Sequence, residues 1–169
     1  MRLAITDACI FIDIYDLQLT SKFFGLELEI HTSVDVFNEL YDAQQELLRA
    51  YQSVGKLTVH SITGEDRQLI HSKNYPRALS DNDKTVLYLS EKIDAMVLSS
   101  DKAVRSCAKK LCVEYHGMLW VFDKLIEEGL LDSATAIEKI NQLLAANPVY
   151  QNNADLKVEI DKRIKLWSE

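Results

Sequence analysis

The 169-residue sequence is short of the residues that break or staple chains: it has 5 glycines, 2 prolines and 3 cysteines. So little Gly and Pro excludes a collagen-like or low-complexity chain, and with 47% apolar residues a largely disordered one is excluded too. Cys9, Cys107 and Cys112 are odd in number and lack a Cys-x-x-Cys pair, which argues against an oxidised extracellular framework. Each lies beside apolar neighbours and reads as a small buried hydrophobe. His31, His60, His71 and His116 lack metal-ligand spacing, so no zinc site is expected. Long apolar runs are also missing. Ala8-Cys9-Ile10-Phe11-Ile12 is far too short to span a bilayer, and Asp7 comes too early for a signal-peptide apolar region. These absences lead us to expect a soluble, cytoplasmic protein with no membrane contact.

What remains is globular. The length matches about one domain, and folding at this size removes roughly 70% of the chain's surface from water. A net charge of −7 argues against tight nonspecific binding to polyanions. The charge is uneven, however: residues 61–120 are nearly neutral, and Lys102, Arg105, Lys109 and Lys110 follow one another with no acid between them. A helix there would place 102, 105 and 109 on one face. That face is either simply solvated or a phosphate-contacting patch.

Short apolar strands alternate with longer helical stretches. Leu3–Thr6 reads as a first strand and Glu29–His31 as a weak second. Apolar residues at 34, 37, 40, 41, 47, 48 and 51 predict one helix from Val34 to Tyr51, capped by Thr32 or Ser33. Leu57–His60 is strand-like, and 64–73 reads as a short helix ended near Pro76. Ser80-Asp81-Asn82-Asp83 opens a helix with Val86, Leu87, Leu89 and Ile93 inward, and Met96–Ser99 is the clearest strand. A basic helix then runs to about Leu111, followed by a last strand at Cys112–Tyr115. Helices over 118–128, 133–146 (capped by Ser133) and about 154–167 complete the chain. This alternation implies βαβ units and a parallel sheet covered on both faces. In such sheets the reactive groups gather beyond the carboxyl ends of the strands.

That rule singles out four acids. Asp7 follows the first strand, Glu39 lies in the long helix, Asp83 stands in the first turn of its helix, and Asp101 follows the 96–99 strand. Each has a purely structural reading. Asp83 lies three residues after Ser80 and completes a capping box; Asp101 is a natural N-cap; Glu39 is one polar residue on an amphipathic face. Asp7 is hardest to explain structurally, because an acid against Ala8-Cys9-Ile10 is costly if buried unpaired. Converging carboxylates raise one another's pKa, and a divalent cation removes that penalty. Oxygen ligands suit Mg²⁺ or Mn²⁺, and the chemistry that follows is metal-assisted phosphodiester hydrolysis.

At these residues the sequence resembles the PIN-domain family, including the VapC-type toxins of toxin–antitoxin pairs. The matching segments are Leu3-Ala4-Ile5-Thr6-Asp7-Ala8, Val36-Phe37-Asn38-Glu39-Leu40, Leu79-Ser80-Asp81-Asn82-Asp83-Lys84-Thr85-Val86-Leu87 and Val97-Leu98-Ser99-Ser100-Asp101-Lys102-Ala103-Val104-Arg105. Lys110-Leu111-Cys112-Val113-Glu114-Tyr115-His116-Gly117 resembles the family's closing strand and glycine. The family acids map in order onto Asp7, Glu39, Asp83 and Asp101, and Ser99 matches a small hydroxyl position two before the last acid. One departure is that Ala8-Cys9, rather than Thr or Ser, follow Asp7. Asp81 beside Asp83 leaves the facing acid ambiguous, with Asp83 better in register.

The resemblance implies a three-layer α/β/α sandwich around a central parallel sheet. It covers about residues 1–128, with 129–169 a helical C-terminal extension packed on the same domain. It further implies a Mg²⁺- or Mn²⁺-dependent endoribonuclease, the toxin of a type II toxin–antitoxin pair. Asp7, Glu39, Asp83 and Asp101 would be its catalytic and metal-binding residues, and Ser99, Lys102, Arg105 and Lys109 its substrate contacts. The partners it implies are RNA, with tRNA one candidate, a small antitoxin protein and a second copy of the chain. Apolar residues on the last helices, among them Ile137, Ile140, Leu143 and Leu144, fit packing against the domain or a partner surface. The alternative function is a catalytically silent PIN-like binding or scaffold module.

Overall fold

A computed structural model describes all residues 1–169. In chain order the first half contains β1 (Arg2–Thr6), α1 (Ala8–Asp16), α2 (Thr20–Phe23), β2 (Leu28–Ser33), α3 (Val34–Glu39), α4 (Asp42–Ser53), β3 (Leu57–His60) and α5 (Gly64–Ser72). The second half contains α6 (Asp81–Lys92), β4 (Met96–Leu98), α7 (Lys102–Lys110), β5 (Tyr115–His116), α8 (Met118–Glu127), α9 (Ser133–Ala146), α10 (Pro148–Gln151) and α11 (Ala154–Trp167).

Ala4, Ile5 and Thr6 on β1 and Val97 and Leu98 on β4 are all fully buried, so both faces of the sheet are covered, as an all-parallel sheet requires. The five strands lie in the order β3-β2-β1-β4-β5, every neighbouring pair parallel. The fold is a three-layer α/β/α sandwich, with α6 against β1, β2 and β4. The chain winds outward from β1 through β2 to β3, then returns to β1's other side for β4. The strand order therefore reverses between β1 and β4, and the crevice beyond their carboxyl ends is where such sheets bind ligands.

The structure departs from the sequence expectations in several places, the short α2 among them. The Ala8–Ile12 apolar run is the start of a helix, α1; it carries almost no polar face, so its periodicity was invisible. The single helix expected over 34–51 is two. Leu40 turns extended (ψ 155°) and into the core, and the Gln44 side chain reaches back 3.0 Å to the Tyr41 N–H to start α4. The last strand begins at Tyr115 rather than Cys112. Cys112 is left-handed (φ 57°), and its N–H and that of Val113 bond the carbonyls of Lys109 and Ala108, a Schellman closure of α7. Asp132, not Ser133, caps α9, accepting from the Thr135 N–H at 2.7 Å. The short α10, unforeseen, fills the gap after Asn147.

Ile140, Leu143, Tyr150 and Ile160 from the last three helices belong to the one hydrophobic core, while Val149, Val158 and Leu166 stay exposed. No helix is long and apolar enough to cross a membrane.

Candidate active site

Asp7 leaves β1 directly and becomes the N-cap of α1, its Oδ1 accepting from the Ile10 N–H at 3.3 Å. It is only 4% exposed. Its other close donor is the Cys9 thiol, 2.8 Å from Oδ1. The thiol therefore stands where a hydroxyl was expected to be missing, and Cys9 is a hydrogen-bonding member of the site rather than an inert small hydrophobe. Burial pushes the Asp7 carboxyl up to about 6, and the charge of Asp83 adds to the rise, against lowering by Cys9, Ser99 and Ile10.

Asp101 caps α7 through a 3.0 Å bond from the Val104 N–H and is exposed. Ser99, fully buried, accepts the Asp101 N–H on its hydroxyl at 3.0 Å, which fixes the corner between β4 and α7. Asp83 forms the capping box of α6, its Oδ2 3.1 Å from the Ser80 N–H. Its neighbour Asp81 points to solvent, with a side chain 94% exposed beside Lys84. Of the two, it is Asp83 whose charge reaches Asp7. Glu39, exposed at the end of α3, accepts from Asn82 Nδ2 at 3.0 Å and so is tied to the first turn of α6. Nothing local in the sequence signals this role for Asn82, because the bond joins residues 43 apart.

The basic residues divide. Lys102 and Lys109 are exposed on α7. Arg105 turns inward: its Nη1 donates to the Ser99 carbonyl at 3.1 Å, and its guanidinium lies 5.1 Å over the Tyr115 ring. Gly117 makes room for it, since a Cβ there would sit 2.7 Å from that nitrogen. Arg105 and Ser99 are thus bonded within the scaffold of the site.

The topology therefore brings β1, β4, α3 and α6 together with an acid from each, yet no three Asp, Glu, His or Cys side chains stand close enough to share a metal ion. The donor chemistry still fits Mg²⁺, which keeps several waters and uses one or two carboxylates plus substrate phosphate oxygens. Asp7 supplies the structural reason. A buried carboxylate with few donors and a like charge nearby is stabilised by a cation.

A family model for the PIN domain matches residues 3–160. The chain belongs to the PIN-domain family. No curated protein sequence matches it. PIN domains are in general nucleases that act on nucleic acid and typically use divalent metals. The matched span includes α9, α10 and part of α11.

Proposed function

We propose that this PIN domain is a Mg²⁺- or Mn²⁺-dependent endoribonuclease and the toxin of a type II toxin–antitoxin pair. The observation that carries the reading is Asp7: an acid held in the crevice at the strand-order reversal, buried at a cost to its charged form. Asp7 and Asp101 would contact the metal most directly, with Asp83 and Glu39 completing the acidic set. A bound cation would supply a water of lowered pKa and shield the scissile phosphate.

The chain's own residues do the rest. Cys9 and the Ile10 N–H fix the Asp7 carboxylate, Ser99 fixes the backbone at Asp101, and Asn82 holds Glu39 toward α6. Lys102 and Lys109 would meet the RNA backbone by simple charge, giving salt-sensitive binding. Arg105 would support that surface from beneath through Ser99. The toxin role rests on the resemblance of the four acid-bearing segments to VapC-type proteins. A small antitoxin entering the acidic crevice and a second copy of the chain are the partners this role entails.

The test is cleavage of a mixed tRNA pool with Mn²⁺ or Mg²⁺, with EDTA, and with Asp7→Asn. We expect cleavage that needs metal and disappears in the variant; equal cleavage by wild type and variant would contradict the reading.

Two observations favour a silent binding module instead: Asp83 and Asp101 both already serve as helix caps, and no three acids converge. Saturable Mn²⁺ binding lost in Asp7→Asn is the outcome expected of the nuclease, and no Mn²⁺ binding that of the scaffold.

A further inference from the structure

The loop between β4 and α7 carries Ser99, Ser100 and Asp101, and three separate elements hold it. Arg105 of α7 bonds the Ser99 carbonyl at 3.1 Å. From α1, Cys9 accepts the Ser100 N–H on its sulfur at 3.2 Å. The third hold comes from far along the chain: the Tyr150 hydroxyl, on α10, shares a 3.0 Å hydrogen bond with the Ser100 hydroxyl.

Tyr150 is 2% exposed, and Ser100 is the one partner of its hydroxyl. A buried phenol needs such a partner, so the bond is part of what seats the ring. The helix that carries it is anchored at its start as well, because Asn147, its N-cap, donates from Nδ2 to Asp13 on α1 at 3.2 Å. Two grips thus set α10 across α1 and the β4–α7 corner.

Ser100 is the junction. Its hydroxyl faces Tyr150, and its N–H faces Cys9, whose thiol in turn donates to Asp7 Oδ1 at 2.8 Å. A thiol is a weak donor and a weak acceptor, so its aim depends on what fixes the sulfur. We infer that Tyr150 is a positioning residue of the acidic site, acting through Ser100 and Cys9 to orient the Asp7 carboxylate. In its effect on catalysis the inference rests on the nuclease reading above. The last helices then brace the site from behind, and a displacement of about 1 Å at such a group is enough to cost roughly a hundredfold in rate.

Tyr150→Phe removes one oxygen and keeps the packed ring. In the metal-free variant, amide hydrogen exchange should quicken about tenfold at Ser100 and at Ile10, whose N–H reports on Asp7 Oδ1, and stay unchanged in the central strands. With RNA and Mn²⁺, kcat should fall about tenfold with KM unchanged. Ser100→Ala should reproduce both effects, and the double variant should add nothing further. Unchanged exchange at Ile10, or effects that simply add in the double variant, would overturn the inference. The exchange experiment needs no activity, which separates the two failures. If wild type cleaves RNA while Ile10 stays silent, the inference falls and the nuclease reading stands. If wild type cleaves nothing while Ile10 and Ser100 respond, the nuclease reading falls and the coupling to Asp7 stands.

Discussion

Two aspartates of this protein are almost equally buried, Asp7 at 4% exposure and Asp66 at 6%, and both sit at the start of a helix. Their surroundings differ. Asp66 has both oxygens bonded: the Tyr88 hydroxyl at 2.6 Å and Lys92 Nζ at 3.2 Å reach Oδ1, and the Thr63 N–H reaches Oδ2 at 2.9 Å. The Tyr88 bond, then the Thr63 N–H, hold its carboxyl well below the usual carboxylate range. Asp7 has a thiol and one long amide bond, with Ser99 assisting from further off, and burial carries its carboxyl up to about 6. Asp66 ties α5 to α6. Asp7 is an acid kept where its charge is poorly served by protein alone, which is why we propose it as the group that meets a cation.

The largest expected effect is on activity. Asp7→Asn should lower RNA cleavage by about a thousandfold or more while the protein stays folded, measured by gel assay and circular dichroism. Asp66→Asn should do the reverse. It leaves the Tyr88 hydroxyl and the Lys92 ammonium without the charge they bond, so the melting temperature should drop by several degrees, while kcat per folded molecule is unchanged. A loss of kcat with no loss of stability in Asp66→Asn would break the contrast.

pH separates the two aspartates next. A raised folded-state pKa means the fold favours protonated Asp7. Its contribution to metal-free stability is present below the ordinary value of 3.8 and is lost as pH rises through about 6. Asp13, raised to about 6 chiefly by burial, acts in the same direction. Asp66, held low, acts oppositely, losing its contribution only in strong acid. His60 also opposes Asp7. Burial and then the charges of His31 and Lys92 lower its pKa from 6.5, so its share of stability is lost as pH falls below that value. In His60→Gln, urea unfolding between pH 7 and 5 should therefore show a larger gain on acidification than in wild type. The smallest effect involves neither aspartate. Cys112→Gly, at a left-handed backbone position, should raise stability by about 1 kcal/mol, read from thermal melts.

Much of this was readable from the chain alone, because it depended on local signals. β1 and β4 carry continuous apolar runs, Leu3-Ala4-Ile5 and Met96-Val97-Leu98, and Ser80 and Asp83 form the capping box their spacing announced. Asp7 follows β1, Asp101 follows β4 and Asp83 lies in the first turn of α6, the places the local pattern assigns them, while Glu39 ends the short α3. What escaped was non-local or without contrast. α1 is too uniformly apolar to show a helical period. The break at Leu40 depends on that side chain turning into a core the sequence does not display. Arg105 looked like one more cation on a basic face until Gly117 and Tyr115 received it. The bond between Tyr150 and Ser100 joins residues 50 apart, and nothing near either one signals the other.

The most direct test of the claim that Asp7 is held against the preference of the fold is the stability difference between Asp7→Asn and wild type, both metal-free, followed from pH 7.5 to pH 3.5. Asn keeps the oxygen that accepts from Ile10 and Cys9 but carries no charge. The variant should be the more stable protein at pH 7.5, by up to roughly 3 kcal/mol from a shift of about two pKa units, with the advantage gone below about pH 4. A variant less stable than wild type at pH 7.5 would contradict the claim and leave Asp7, like Asp66, as part of the scaffold.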